Sequence, residues 1–296
     1  MTDRSYRYVT LDVFTAQRFG GNPLAVLPEA EGLSDAEMQA IAREFNFSET
    51  TFVLPPANPT HTARVRIFTP TKEMPFAGHP NIGTATVLAW ERLARGEALP
   101  QPFLFEEVAG LVPVAVRVEG GAVLDAELRA PLPLSRLAML DPAGLATCLS
   151  LGAEDVVTAA HRPQVVSVGA PFVVVELSGL EALGRIRPNP VAWDAVLPRD
   201  GASAIYAYVR MSRDTLRARM FTRSLYEDPA TGSATAAATA LLLALFGEAR
   251  IALTVHQGVE MGRPSLLQAT AWRDGKGVAA GVAGGCVPVM QGRLRL

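Results

Sequence analysis

The chain has 296 residues, of which 49% are hydrophobic, enough for the core of one large domain or of two domains of about 150 residues. The formal net charge of -2 argues against the basic surface that binding to nucleic acid or an anionic membrane requires. Two cysteines do not make a disulfide framework or a structural zinc site, and the four histidines show no metal-ligand spacing. We therefore expect a soluble, cytoplasmic protein without a metal.

The first half of the chain shows period-two strand patterns around one predicted helix. Strands are predicted over residues 8–14, 24–27, 50–54 and 63–68. Ser34 and Glu37 form a capping box, which predicts a helix start before the third strand. Glu49 therefore lies at the corner between that helix and the strand that follows.

Two apolar helices are predicted, one in each half of the chain. The first runs from Pro80 to about Leu93 and the second from Ser233 to Phe246, and such apolar helices are normally enclosed. The segments before them repeat as well: 64–69 resembles 217–222, and 75–78 resembles 229–232. A repeat near half the chain length predicts two similar domains, each a sheet curled around one helix. Because ligand sites favour domain interfaces, we expect the site in the cleft between them.

The two helix starts are the first candidates for chemistry. Gly78 and Gly232 lie where the apolar helices begin, and free N–H groups with the positive end of the helix dipole form an anion site. The alternative is that each motif only caps its helix, with Pro80 in the first turn and Ser233 as the N-cap. The duplication of the motif favours the anion site.

Three ionisable residues are candidates for acid/base chemistry. His79 and Asp228 each lie at the entrance to an apolar helix, although an aspartate before proline is also a common turn former. Glu49 lies between Phe47 and Phe52, and an apolar shell would raise its affinity for a proton. The alternative is an ordinary exposed loop glutamate, and spacing alone leaves both interpretations open.

Five segments, taken together, resemble the phenazine-biosynthesis isomerase family, the PhzF-like proteins, over essentially the whole chain. They are Gly-Asn-Pro-Leu-Ala-Val (21–26), Asn-Phe-Ser-Glu-Thr-Thr-Phe (46–52), Pro-Phe-Ala-Gly-His-Pro-Asn-Ile-Gly (75–83), Glu-Asp-Pro-Ala-Thr-Gly-Ser-Ala (227–234) and Gln-Gly-Val-Glu-Met-Gly-Arg-Pro-Ser (257–265). The type activity of that family is trans-2,3-dihydro-3-hydroxyanthranilate isomerase.

The resemblance implies an α+β protein with the diaminopimelate-epimerase-like fold. Each of its two pseudo-symmetric domains is a curled β-sheet or barrel around a central α-helix. We expect the first domain to span 1–128, completed by a C-terminal strand at about 286–296, and the second to span 129–285. The resemblance also implies no cofactor and a homodimer.

The resemblance assigns roles to individual residues. Glu49 takes the position of the catalytic acid/base. The other positions that match catalytic or substrate-binding residues of the family are His79, Asp228, Asn22, Gly78, Gly232 and Ser233. The two glycines match those whose backbone amides hold the substrate.

One departure from related folds narrows the chemistry. Two-base epimerases of this fold carry a cysteine in each helix-start motif, whereas here Cys148 and Cys286 lie far from both motifs in sequence. We therefore expect a single carboxylate, Glu49, to move a proton on a small, conjugated, carboxylate-bearing substrate, as in phenazine biosynthesis. The alternatives are an epimerase or racemase of an amino-acid-like substrate, and a non-catalytic metabolite-binding protein of the same fold.

Overall fold

The structure, a computed structural model, describes residues 4–296 and divides into two compact units. The first unit runs to Leu128 and includes Ala283–Leu296, and the second spans Arg129–Val282. Residues 1–3, which the expected first domain contains, lie outside the described residues. Between residues 4 and 296, no helix is both long and apolar enough to cross a membrane.

The chain is a mixture of many strands and few helices. Up to Arg129 the elements are β1 (Ser5–Val13), β2 (Asn22–Leu27), α1 (Asp35–Phe45), β3 (Glu49–Leu54), β4 (Ala63–Phe68), β5 (Glu73–Met74), α2 (Gly78–Ala94), β6 (Phe103–Glu107), β7 (Gly110–Glu119) and β8 (Ala122–Arg129). Then follow β9 (Ser135–Met139), α3 (Pro142–Cys148), a 3-10 turn (Ala153–Asp155), β10 (Val156–Val157), β11 (Gln164–Ser167), β12 (Pro171–Leu177), α4 (Leu180–Arg185), α5 (Pro190–Val196), β13 (Ala204–Arg210), β14 (Thr215–Thr222), β15 (Glu227–Asp228), α6 (Gly232–Phe246), β16 (Arg250–Gln257), β17 (Ser265–Asp274), β18 (Gly277–Gly284) and β19 (Cys286–Arg295).

Strand pairing follows the same plan in both units. In the first unit β19, β1, β2, β3, β4, β6, β7 and β8 pair in that order, with β5 added to β4. In the second unit β9, β11, β12, β13, β14, β16 and β17 pair in that order, with β15 added to β14. Parallel pairs occur at equivalent places, β2–β3 and β4–β6 in one unit and β12–β13 and β14–β16 in the other. The pseudo-symmetry predicted from the repeat is therefore confirmed.

An arginine–glutamate pair repeats at the same place in each unit. Arg66 on β4 binds Glu73 on β5 through two hydrogen bonds of 2.7 and 2.6 Å. Arg219 on β14 binds Glu227 on β15 through two hydrogen bonds of 2.8 Å. Each guanidinium also lies over a phenylalanine ring of its own strand. Such two-pronged pairs fix the short strand that leads into each apolar helix.

The two apolar helices are enclosed, as predicted. Helix α2 contacts β1, β2, β3 and β7, and helix α6 contacts β11, β12, β16 and β17. Both begin slightly before the predicted first residues, α2 at Gly78 and α6 at Gly232. Gly83 allows the close approach of α2 to the sheet, because a Cβ atom there would lie 2.5 Å from a methyl group of Leu24. Each unit is thus a curled sheet around one central helix.

Helix α1 sets the corner that carries Glu49. The predicted capping box is confirmed, since Ser34 accepts from the Glu37 N–H and Glu37 accepts from the Ser34 N–H. The helix ends at Asn46, which has left-handed backbone angles and donates its N–H to the Ala42 carbonyl. The chain then turns into β3, whose first residue is Glu49.

Candidate active site

Glu49 and His79 face each other in the first unit. The Nε2 atom of His79 lies 3.5 Å from the Oε2 atom of Glu49. The side chain of His79 is 6% exposed and that of Glu49 is 17% exposed, so a small molecule can reach the carboxylate more easily than the imidazole. The two positions come from different elements, the first residue of β3 and the first turn of α2.

The protonation state of His79 follows from its surroundings. Burial lowers the pKa of His79 from 6.5 to about 3, and a hydrogen bond to the backbone of Pro23 offsets part of that shift. Proline has no N–H, so this partner is the Pro23 carbonyl, and the imidazole donates to it. Because Nε2 has no hydrogen-bond partner among residues 4–296, the donor is Nδ1. His79 is therefore a neutral imidazole that presents the lone pair of Nε2 to Glu49.

Asn22 anchors the corner before Glu49. It is fully buried at the start of β2, and its Oδ1 atom accepts a hydrogen bond of 3.0 Å from the Ser48 hydroxyl. Strand β2 runs parallel to β3, with Leu24 opposite Glu49. The side chain of Asn22 thus holds the residue that precedes the carboxylate.

The expected apolar shell around Glu49 is only partly present. Phe47 is half-buried, while Phe52 belongs to the buried cluster that includes Met38 and Ile41 of α1. Side chains alternate along a strand, so Phe52 and Glu49 point to opposite faces of β3. The expectation that Phe52 shields Glu49 is therefore wrong, and the neighbour identified by geometry is His79.

Helix α2 begins without a side-chain cap. Its N-cap residue is Ala77, which has no capping side chain, and its first turn contains no acidic residue. Gly78 is the first helical residue and is buried. The first N–H groups of α2 therefore have no capping side chain at the N-cap, which suits the anion site predicted for Gly78.

A second carboxyl group lies near the first turn of α2. Neither carboxyl oxygen of Glu107 is accessible or receives a hydrogen bond of ordinary geometry from residues 4–296. Burial raises the pKa of the Glu107 carboxyl from 4.5 to about 8, and the neighbouring amide of Asn81 offsets part of that rise. Sequence reasoning missed this residue, because nothing in the segment around it marks a buried carboxyl group.

In the second unit, Asp228 lies on β15 and is bonded to the helix start that follows it. The Thr231 hydroxyl donates a hydrogen bond of 2.5 Å to the Oδ2 atom of Asp228. Both side chains are buried. Asp228 is therefore held in place by its own loop rather than being only a turn former before Pro229.

The start of α6 corrects one alternative interpretation. The helix begins at Gly232, and its N-cap residue is Thr231, whose side chain makes no capping hydrogen bond. Ser233 lies inside the first turn and is half-buried. The suggestion that Ser233 is the N-cap is therefore wrong. As in α2, the first turn contains no acidic residue, so the N–H groups at Gly232 have no capping side chain at the N-cap.

The repeated framework carries its acids at different places in the two units. Phe68 of β4 and Phe221 of β14 are equivalent residues of the repeat. Counting along the paired strands from these two residues shows that Glu49 is equivalent to Ala204, and that Asp228 is equivalent to Met74. Neither acid thus has an acid at the equivalent position of the other unit. The first unit contains Asn22, Glu49, Gly78 and His79, and the second contains Asp228, Gly232 and Ser233.

The two cysteines, His61 and His161 take no part in these groups. Both cysteines are free, and burial raises the pKa of the Cys286 thiol to about 12 and that of Cys148 above its usual value. A thiol with such a pKa is not a base near neutral pH. His61 pairs with Glu106, and His161 bonds to Tyr208. Over the described range 4–296, no group of three His, Cys, Asp or Glu side chains is arranged to hold a metal.

Comparison with known proteins agrees with this fold and with the motifs. The family model described as "Phenazine biosynthesis-like protein" matches residues 11–292. An uncharacterised isomerase of Mesorhizobium japonicum is 42% identical, over 97% of this chain and 98% of the relative. The trans-2,3-dihydro-3-hydroxyanthranilate isomerase of Pseudomonas aeruginosa is 36% identical, over 98% of this chain and 100% of the relative. The crystal structure of a Bacillus anthracis phenazine biosynthesis protein of the PhzF family superposes with a TM-score of 0.86 at 25% identity, over 98% and 99% of the two chains.

The fold and these relatives thus define an isomerase with two pseudo-symmetric units. The chain belongs to the phenazine biosynthesis-like, or PhzF, family.

Proposed function

We propose that this isomerase moves a proton between two carbon atoms of a small, conjugated carboxylic acid, without a cofactor. Glu49 removes the proton and returns it. The observation that carries the proposal is the placement of the Glu49 carboxylate 3.5 Å from the unprotonated Nε2 of a neutral imidazole. After Glu49 gains a proton, the lone pair of Nε2 can accept a hydrogen bond from the new O–H group.

The proton transfer takes place in two steps. In the first, a C–H bond of the substrate breaks, Glu49 gains the proton, and the electron pair enters the conjugated system. The new Glu49 O–H then has an acceptor, because Nε2 of His79 offers a lone pair. In the second step Glu49 delivers the same proton to another carbon of that system, so that one C–H bond has broken, another has formed, and the double bonds have moved. The hydrogen bond to His79 holds the carboxylic acid while the substrate is an anion.

The helix starts supply the complementary charge. N–H groups at Gly78 and Gly232 that lack a capping side chain bind the substrate carboxylate and stabilise the negative charge that develops after proton removal. Asp228, Ser233 and Asn22 orient the polar groups of the substrate.

The proposed substrate class is that of the Pseudomonas aeruginosa relative, which is a trans-2,3-dihydro-3-hydroxyanthranilate isomerase. The support is 36% identity over 98% of this chain, together with the segments of this sequence that resemble the motifs of the family. We further propose a role in a biosynthetic process of the phenazine type, a cytoplasmic location and a homodimer, as the family resemblance implies.

The test is transfer of solvent deuterium into substrate carbon. The wild-type protein is incubated in D2O with trans-2,3-dihydro-3-hydroxyanthranilate and with a panel of related conjugated acids, and carbon-bound deuterium is followed by NMR. We expect exchange and isomerisation by the wild type, and a loss of about 100-fold or more in Glu49→Gln. Glu44→Gln, which changes an exposed glutamate of α1, is the matched control and should behave as wild type.

Three results would overturn the proposal. Full activity of Glu49→Gln would remove Glu49 from the mechanism. Exchange at a stereocentre with racemisation would instead identify an epimerase of an amino-acid-like substrate. Binding of the panel without any proton exchange in the wild type would identify a metabolite-binding protein.

A further inference from the structure

A closed set of hydrogen bonds surrounds the start of α6. Gln257, the last residue of β16, is 0% exposed. Its Oε1 atom accepts from the Thr231 N–H at 3.1 Å, and its Nε2 atom donates to the Asp228 carbonyl at 2.8 Å and to the Thr231 hydroxyl at 3.0 Å. One buried amide therefore uses its oxygen and both of its hydrogens to bind Thr231 and Asp228, the acid of the second unit.

The chemistry of the amide determines the direction of each bond. An amide N–H can only donate, so the Thr231 oxygen is an acceptor toward Gln257. The hydroxyl has one hydrogen, and that hydrogen is directed to Oδ2 of Asp228, 2.5 Å away. The result is a chain of donors from Gln257 to Thr231 to Asp228. A donor to a carboxylate favours its ionised form and fixes its orientation.

The segment that carries Gln257 is shaped to fit the Asp228 loop. Gly258 has a φ of +71°, and a Cβ atom there would lie 2.6 Å from the Pro229 carbonyl oxygen. That same carbonyl accepts a hydrogen bond of 2.8 Å from the Ser265 hydroxyl. The motif at 257–265 thus contacts the loop through backbone, side chain and close packing together.

The first unit lacks this chain of donors although it shares the framework. At the equivalent positions it has Met74 in place of Asp228 and Ala77 as the N-cap in place of Thr231. A purely structural requirement of the repeated fold would apply to both helix starts. The donor chain is found where the acid is found.

We propose that Gln257 is a positioning residue for catalysis, which acts through Thr231 to hold Asp228 ionised and in one orientation. This inference rests on the proposed function of the Asp228 site. Thr231→Val keeps the shape of the side chain but removes the hydroxyl, so Asp228 loses the hydrogen bond from Thr231. Thr231→Ser restores the hydroxyl. Gln257→Met keeps a similar side-chain length but removes the amide, so the Thr231 oxygen loses its donor and the Thr231 N–H loses its acceptor.

The experiment measures kcat and KM against pH for the isomerisation, with thermal unfolding of each variant alongside. We expect Thr231→Val and Gln257→Met to lower kcat about 10- to 100-fold and to move the acidic limb of the kcat profile to higher pH. Thr231→Ser should recover the wild-type limb. Ser265→Ala is the control for loop stability, since it removes a bond to Pro229 but none to Asp228, and it should leave the limb in place.

The outcomes separate the two proposals. If the wild type turns over none of the conjugated acids, the proposed function fails. If the wild type is active but Thr231→Val and Thr231→Ser give the same kcat and the same acidic limb, the positioning role is wrong. Should Thr231→Val fail to fold, Gln257→Met decides: an unmoved acidic limb in that variant contradicts the proposal.

Discussion

Glu107 and Gln257 occupy equivalent positions in the two units. Arg64 of β4 lies opposite Glu106 of β6, and the equivalent Arg217 of β14 lies opposite His256 of β16. Glu107 and Gln257 are the next residues along the chain, so they are equivalent as well. The amide of Gln257 is fully hydrogen-bonded, whereas the carboxyl of Glu107 has no hydrogen bond of ordinary geometry among the residues described. A carboxyl group with a pKa of about 8 is neutral at pH 7, and in that state it resembles an amide.

The first prediction concerns Glu107 and the change of stability between pH 4.5 and 8. Between pH 4.5 and 8 the unfolded chain has lost the Glu107 proton while the folded chain keeps it, so the free energy of unfolding falls as pH rises through this window. Glu107→Gln removes the titrating group and should flatten that part of the curve, with higher stability than wild type at pH 8. The measurement is urea unfolding at a series of pH values.

The control for Glu107→Gln is a change at the neighbouring glutamate. Glu106→Gln changes the adjacent carboxylate, which accepts hydrogen bonds from the backbone of Ala57 and Asn58 and whose pKa is held down to about 2. Loss of the Glu106 carboxylate should lower the free energy of unfolding across neutral pH without flattening the decline between pH 4.5 and 8. Equal slopes for wild type and Glu107→Gln would show that Glu107 is ionised in the folded protein.

The second prediction concerns the protonation of His79. Its pKa is lowered to about 3 by burial, so the unfolded chain binds the extra proton between pH 6.5 and 3 and the folded chain does not. The contribution of His79 to stability is therefore complete above pH 6.5 and falls as pH falls through that window. Nitrogen-15 NMR should show a neutral ring at pH about 5, protonated at Nδ1 and not at Nε2. An imidazolium signal at that pH would contradict the proposed acceptor role.

The third prediction concerns Gly258 and the loop that carries Asp228. Gly258→Ala places a Cβ atom 2.4 Å from the Arg263 carbonyl oxygen and 2.6 Å from the Pro229 carbonyl oxygen, so backbone must move. We expect a loss of about 3 kcal/mol or more in the free energy of unfolding, together with a loss of isomerase activity.

Gly262→Ala is the matched control for backbone strain. Gly262 has a φ of +79°, but its Cβ would meet nothing within 4 Å. It should cost about 1 kcal/mol and leave activity near wild type. If the two variants lose the same free energy, the close contact with the Pro229 carbonyl is not what requires glycine at position 258.

Much of the framework could be predicted from local sequence signals. The Ser34–Glu37 capping box depends on residues three apart, and the apolar runs of the two central helices mark enclosure by composition alone. The internal repeat was visible because Arg66 and Arg219 keep the same neighbours in both halves. These features need no knowledge of distant contacts. The family motifs likewise singled out Glu49 before any geometry was known.

Only the tertiary structure decided how the polar residues are partnered. That Nε2 of His79 faces Glu49, that Phe52 does not, and that Thr231 serves Asp228 instead of capping α6 all depend on contacts that chain folding creates. Gln257 lies 26 residues from Thr231 and reaches it through the parallel pairing of β14 with β16. Periodicity and composition describe which side of an element is apolar. They do not describe which donor meets which acceptor, because that depends on the packing of elements far apart in sequence.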